Sequence, residues 1–176
     1  MAFYQPMTLL EMVVYYNEKK DIQRISEVKF DVLLNSIPFN IKKSTIAMFV
    51  SEILMKCLME EKEPIVFNYC FDFVEQLEKK EFDFENYHLI FLLGLGQILG
   101  VVPDTLELFG KEHELHGTPD DMNSLGQLFS LDYSQQISIN NSLRRQMLER
   151  ILDCYASQFS AIQDLKSLPV IREILT

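Results

Sequence analysis

Neither a catalytic signature nor a membrane-length apolar run occurs in this chain, and positive charge is scarce. The longest apolar stretch, Leu89–Leu95 with an extension to Val102, is interrupted by Gly94, Gly96, Gly100 and Gln97. It is too short for the ~20 apolar residues that cross a bilayer. The N-terminal MAFYQPM has no basic segment leading into an apolar one, so no secretion signal is read there and a cytoplasmic protein is expected. Only three cysteines occur, Cys57, Cys70 and Cys154. Odd in number, far apart and set in helix-like apolar runs, they exclude a disulfide framework and read as reduced core thiols. There is no internal repeat and no low-complexity tract, and 48% hydrophobic content over 176 residues excludes a disordered or fibrous chain. That length holds one full domain plus a fragment.

Sixteen Lys and Arg against 26 Asp and Glu leave a net charge of −10. Such a balance disfavours nucleic acid, whose binding needs cations to displace counterions from phosphate. The distribution is uneven, however. Residues 1–51 balance at +1, residues 52–121 at −11, and residues 122–176 at zero. A DNA-facing surface must therefore come from the two ends. The candidates are Lys19, Lys20, Arg24, Lys42 and Lys43 on one side and Arg144, Arg145 and Arg150 on the other.

Strand character is confined to the start of the chain. Leu9–Tyr16 and Ile22–Phe30 carry β-branched and aromatic residues, and Asn17-Glu18-Lys19-Lys20-Asp21 supplies a polar reversal. A lone hairpin is marginal in water, so the pair reads as the last two strands of a β-domain. After a connector over Asp31–Asn40, apolar residues recur at helical spacing. A helix is expected from an Asn40 cap through Leu58, and a second from Pro64 to Leu77. A third, Phe84–Leu99, is apolar nearly all round and should be central. Residues Gly100–Asp121 read as irregular and acidic, with Pro103, Gly110, Gly117 and Pro119 keeping any helix short. Leu125–Tyr133 reads as a short helix and Asn140–Phe159 as a long one. A last helix over Ser167–Leu175 has Ser167 as its cap and Pro169 in its first turn.

No motif carries chemistry convincingly. Gly94-Leu-Gly96-Gln-Ile-Leu-Gly100 imitates a phosphate loop, but no helix opens at the glycines, and close helix packing is the better reading. His113 and His116, beside Glu112, have a spacing that could ligate zinc on one helical face, yet no cysteine is expected nearby to complete a tetrahedral site and a solvated acidic loop is favoured. No Ser sits in a G-x-S-x-G turn, and Glu60-Glu61 and Asp120-Asp121 read as solvated charges. Arg144, Arg145 and Arg150 form the one arginine cluster, which on charge patterning reads first as a solvated face pairing with Glu149 and Asp153. Among the aromatics, Tyr15 and Tyr16 beside Lys19-Lys20 have the interleaving with cations that base stacking needs.

Three stretches carry a family resemblance. QPMTLLEMVVYY with IQRISE (residues 5–16 and 22–27), FLLGLGQILGVVP (residues 91–103), and Arg144–Leu175 with its RRQMLERILDCYA and LKSLPVIREI together resemble the bacterial recombination mediator family RecO. The resemblance implies a mainly α fold, a helical bundle preceded by a β-hairpin remnant of an OB-fold. Residues 1–37 would be the C-terminal strands of that OB-fold, and 38–176 the helical domain. It implies a role in DNA repair and recombination without catalysis or cofactor: binding single- and double-stranded DNA, annealing strands, and loading recombinase together with RecR. It also implies a pocket for the C-terminal tail of single-stranded-DNA-binding protein near Tyr87–Leu99, with His88, Phe91 and Leu92 as candidates and His88 standing where the family often has arginines. The four-cysteine zinc site of some members has no counterpart here. A helical protein-interaction domain without DNA binding is the alternative, favoured by the acidic middle.

Overall fold

The computed structural model describes residues 4–58, 64–113, 115 and 117–175. Two strands, β1 (Leu10–Tyr15) and β2 (Arg24–Phe30), form an antiparallel hairpin. Seven helices follow among the described residues: α1 (Ile41–Cys57), α2 (Pro64–Lys79), α3 (Tyr87–Ile98), α4 (Leu106–Glu112), α5 (Pro119–Leu128), α6 (Asn141–Gln158) and α7 (Leu168–Ile174). Short 3-10 turns lie at Ile37–Phe39 and Ser160–Gln163.

The hairpin register is Leu10 opposite Phe30, Met12 opposite Val28 and, beyond a bulge at Val13/Val14, Val14 opposite Ile25. Because side chains alternate across a strand, these six residues share one apolar face. The other face carries Glu11, Val13, Tyr15, Arg24, Glu27 and Lys29, with an ion pair of 2.8 Å between Lys29 and Glu11. Met12, Val14 and Ile25 on the apolar face remain 41–45% exposed.

A carboxylate fastens the connector after the hairpin to the bundle. Glu78, near the end of α2, accepts hydrogen bonds from the backbone N–H groups of Asn35, Ser36 and Ile37 at 2.6, 2.7 and 2.9 Å. The Lys43 ammonium donates to Ser36 Oγ at 2.7 Å and to the Glu78 carbonyl at 3.1 Å. Asn40 caps α1 by accepting from the N–H groups of Lys42 and Lys43, as its place before the apolar periodicity predicts.

Helix α3 is the centre of the core, with Tyr87 through Gly96 buried without a break and α1, α2, α5 and α6 packed around it. Its glycines allow that crowding. A Cβ on Gly94 would stand 2.2 Å from the Tyr69 hydroxyl oxygen, and one on Gly96 2.3 Å from Val102 Cγ2. The helix starts at Tyr87, three residues later than the apolar pattern suggests. Phe84 is buried in the preceding turn, where its carbonyl accepts from the Tyr87 N–H.

The largest departure from expectation lies between Gly100 and Tyr133. The segment read as irregular, with any helix kept short, contains the seven-residue α4, capped by Thr105, as that reading allows, and also the first turn of α5. Helix α5 occupies Pro119–Leu128, not Leu125–Tyr133. Thr118 and Asp121 form a reciprocal capping box and Pro119 takes the first helical position, so the helix nucleates six residues earlier. It ends before Leu131, whose φ of 55° is left-handed and cannot continue a helix. Helix α7 lies where expected, but Ser167 makes no side-chain cap. Its N–H and hydroxyl both donate to the Glu52 carboxylate, which also accepts from the Lys166 N–H at 2.9 Å. Among the described residues, no helix is long and apolar enough to cross a membrane.

Candidate nucleic-acid interface

The hairpin tip gathers exposed rings and cations on an ordered turn. Asn17 and Gln23 build it. The Asn17 N–H donates to Gln23 Oε1 at 2.8 Å, Gln23 Nε2 donates back to the Asn17 carbonyl at 3.0 Å, and Asn17 Oδ1 accepts from the Lys19 N–H at 3.0 Å. A loop held this way presents its side chains with little entropy left to lose on binding. Tyr15 is 64% exposed and Tyr16 76%, and the Arg24 guanidinium lies 5.9 Å from the centre of the Tyr15 ring. An open concavity of about 390 Å³ runs between Tyr15, Tyr16, Lys20, Ile22 and Arg24. Lys19, Lys20 and Arg24 outnumber Glu18 and Asp21 by one charge at this end. Rings flanked by cations suit unpaired bases, whose faces stack on aromatics while phosphates meet the charges.

The remaining sequence candidates part company. Lys43 is 1% exposed, surrenders its ammonium to Ser36 and Glu78, and sits 5.2 Å above the Phe84 ring. Arg144 is 9% exposed. Its guanidinium donates to Asn86 Oδ1 at 2.8 Å, Asn141 Oδ1 at 2.8 Å, the Leu175 carbonyl at 2.7 Å and the Ile139 carbonyl at 3.3 Å. Both are structural cations that offer no charge to a phosphate, because a buried charge is tolerated only when its donors are satisfied internally. Lys42 is half-buried and paired with Glu85 at 3.0 Å. Arg145 and Arg150 do lie on the outer face of α6. They share a shallow groove with Glu149 and Asp153, and Arg150 pairs with Asp153 at 3.5 Å. Two cations against two anions make that groove neutral.

The residues expected to line a tail pocket are core. His88 is 1% exposed, with its ring edge-on to Phe49, and Phe91 and Leu92 are at 0%. Phe91 packs against Tyr69 and Phe73 at 5.3 and 4.5 Å, and the Leu92 carbonyl accepts from the Tyr155 hydroxyl at 2.7 Å. Burial, and secondarily the nearby Arg144 charge, push the His88 pKa down to about 3, so the ring is neutral. An apolar pattern that runs all round a helix marks a core helix, and no pocket can open on it without leaving the core.

Two features escaped the sequence reading. An open groove of about 510 Å³ lies between the N-terminal segment, α1 and α7, lined in part by Pro6, Leu34, Pro38, Ile41, Met48 and Val170. Its sequence signal is the exposed pair Ile41 and Met48, seven apart along one side of α1 and outside the buried stripe. The second is a contact between distant residues. His113, expected in a solvated loop, is half-buried against the Phe109 ring at 4.7 Å, and its Nε2 lies 3.0 Å from Cys154 Sγ. No local spacing could have shown this pairing. Glu114, His116 and the Glu60-Glu61 pair lie outside the described residues, and among the described residues no group of three His, Cys, Asp or Glu is placed to hold a metal.

No family model matches the chain, and no solved structure does. Curated proteins do match. DNA repair protein RecO of Flavobacterium psychrophilum is 29% identical over 190 residues, covering 99% of this chain and 79% of the relative. That of Bacteroides fragilis is 29% identical over 193 residues, covering 98% and 79%, and that of Azobacteroides pseudotrichonymphae 26% over 193 residues, covering 98% and 79%. A mainly α chain led by a hairpin is thus similar, over 98–99% of its own length and 79% of theirs, to these RecO proteins.

Proposed function

We propose that this chain serves DNA repair as a RecO-type mediator that binds DNA without chemistry. It would engage single-stranded DNA through the hairpin tip and, with RecR, help anneal strands or load recombinase on DNA coated by single-stranded-DNA-binding protein. The observation that carries the reading is the tip itself, where Tyr15 and Tyr16 stand exposed beside Lys19, Lys20 and Arg24 in a chain whose relatives are DNA repair proteins. The acidic stretch from 52 to 121 repels phosphate, so affinity is weak and falls with salt. With His88, Phe91 and Leu92 buried, the apolar tail of single-stranded-DNA-binding protein would seat in the groove between α1 and α7.

Fluorescence anisotropy of a labelled oligonucleotide at low salt tests the reading. Tyr15→Ala with Tyr16→Ala, and separately Lys19→Glu with Lys20→Glu, should each weaken binding by roughly tenfold or more, since stacking contributes about 1–3 kcal/mol per base and each lost phosphate contact lowers the salt slope by about one. Lys79→Glu with Lys80→Glu is the control, because Lys79 pairs with Glu75 and Lys80 donates to the carbonyls of Tyr133 and Ser134. Equal loss from both lysine pairs would remove the tip from consideration. A chain that holds RecR but leaves the oligonucleotide free would favour the interaction-domain alternative, to which the acidic middle points.

A further inference from the structure

We propose that Cys154 is an activated thiol, a modification site for soft electrophiles and peroxide whose sulfur exchanges its proton with the His113 imidazole. The two residues arrive from opposite ends of a compact neighbourhood. Cys154 lies on the fourth turn of α6, 7% exposed. His113 closes α4, where its N–H donates to the Phe109 carbonyl at 3.0 Å. Phe109 is fully buried and its ring meets the imidazole at 4.7 Å, so the ring is held rather than adrift. A separation of 3.0 Å between Nε2 and Sγ is within hydrogen-bond reach, which places the imidazole to take the thiol proton as the sulfur reacts. The thiolate is the reactive form of cysteine, and an adjacent imidazole is a recognised means of reaching it.

The other two thiols provide an internal contrast. Cys57 and Cys70 are raised to about 12 and about 11, in both cases by burial alone, so each stays a neutral thiol near pH 7. Cys154 and Cys57 are equally buried, both 7% exposed, so what sets Cys154 apart is the imidazole beside its sulfur.

The chemistry balances without a cofactor. With iodoacetamide, the sulfur attacks the methylene carbon, a C–S bond forms, the C–I bond breaks and iodide leaves, while the imidazole retains the thiol proton until solvent removes it. With hydrogen peroxide, an S–O bond forms as the O–O bond breaks. The sulfur is oxidised by two electrons to a sulfenic acid, and the departing hydroxide takes the imidazolium proton to become water. Any adduct adds bulk where Cys154 meets His113 at the end of α4.

The full chain is treated with limiting iodoacetamide at pH 7 without denaturant, and the label at each cysteine is followed by peptide mass spectrometry. Cys154 should be alkylated at least tenfold faster than Cys57 or Cys70, and a sulfenic acid formed with peroxide should be trapped by dimedone at Cys154 first. His113→Phe keeps a ring against Phe109 but removes the nitrogen, and should slow Cys154 to within about twofold of Cys70. His113→Gln keeps a polar side chain without a base and should do the same. Wild-type Cys154 reacting no faster than Cys57, or a rate unchanged in both variants, would overturn the proposal.

Discussion

Arg144 Nη1 donates to the carbonyl of Leu175 at 2.7 Å, so the first turn of α6 holds the end of the chain. The same guanidinium reaches Asn86, which itself donates to the Ile137 carbonyl at 2.6 Å. One side chain therefore joins the start of α3, the strand-like approach to α6 and the C-terminal turn. The neighbouring Arg145 points outward and is exposed. The two halves of an apparent arginine pair thus have unrelated roles.

Arg144→Met should cost about 3 kcal/mol or more, because it strands buried carbonyls and an amide that lose their donor. Arg145→Met should change stability by less than about 0.5 kcal/mol, as exposed substitutions do. Urea denaturation followed by circular dichroism measures both. Comparable midpoints for the two variants would contradict the buried network.

His88 links stability to pH. Its folded pKa is lowered to about 3 from an ordinary 6.5, so between those values the unfolded chain binds the proton and the folded one does not. Stability is therefore complete above pH 6.5 and declines as pH falls, by up to ~1.4 kcal/mol per unit. His88→Leu should flatten the curve between pH 6.5 and 4.5. The window is chosen because Glu52 and Glu85, whose pKa values are also lowered, act only below the ordinary carboxylate range. At Glu52 burial works upward and the hydrogen bonds from Ser167 and Lys166 outweigh it. A His88→Leu protein with the wild-type pH slope over that window would refute the assignment.

Two glycines should respond to alanine in opposite directions. At Gly96 the new Cβ would meet Val102 Cγ2 at 2.3 Å and Tyr155 Cε2 at 3.3 Å. Overpacking there should cost about 1–3 kcal/mol, only partly offset by better helix propensity. Gly126, within α5, has nothing within 4 Å of its Cβ position, and Gly126→Ala should stabilise by about 0.4–1 kcal/mol. Thermal melts that shift in the same direction for both would sink the packing account of α3.

The outline of the fold was legible because it rests on local rules. Asn40 and Asn140 cap their helices where they precede apolar periodicity, Pro64 opens α2, and the strand residues of the hairpin pair as their composition predicts. Where local signals compete, local rules mislead. Pro119, a breaker by type, is a first helical residue because Thr118 and Asp121 cap the helix there, and Ser167, a cap by type, gives its hydroxyl and N–H to Glu52, more than a hundred residues earlier.

Function was less legible than fold, for a physical reason. Hydrophobic periodicity reports which face of a helix is buried, and that much the sequence by itself determined: an apolar α3 at the centre, a hairpin in front, and an acidic middle. It does not report whether a charged residue ends at a helix surface or beneath a neighbouring element. Lys43 and Arg144 resemble Lys42 and Arg145 in type and position, yet the approach of the Ser36 connector and of the Leu175 carbonyl buries one of each pair. The contact of His113 with Cys154 depends on α4 folding back against α6. Such placements are set by long-range packing, where a buried cation or thiol takes whatever partner the assembled core brings to it, and only the tertiary structure could decide them.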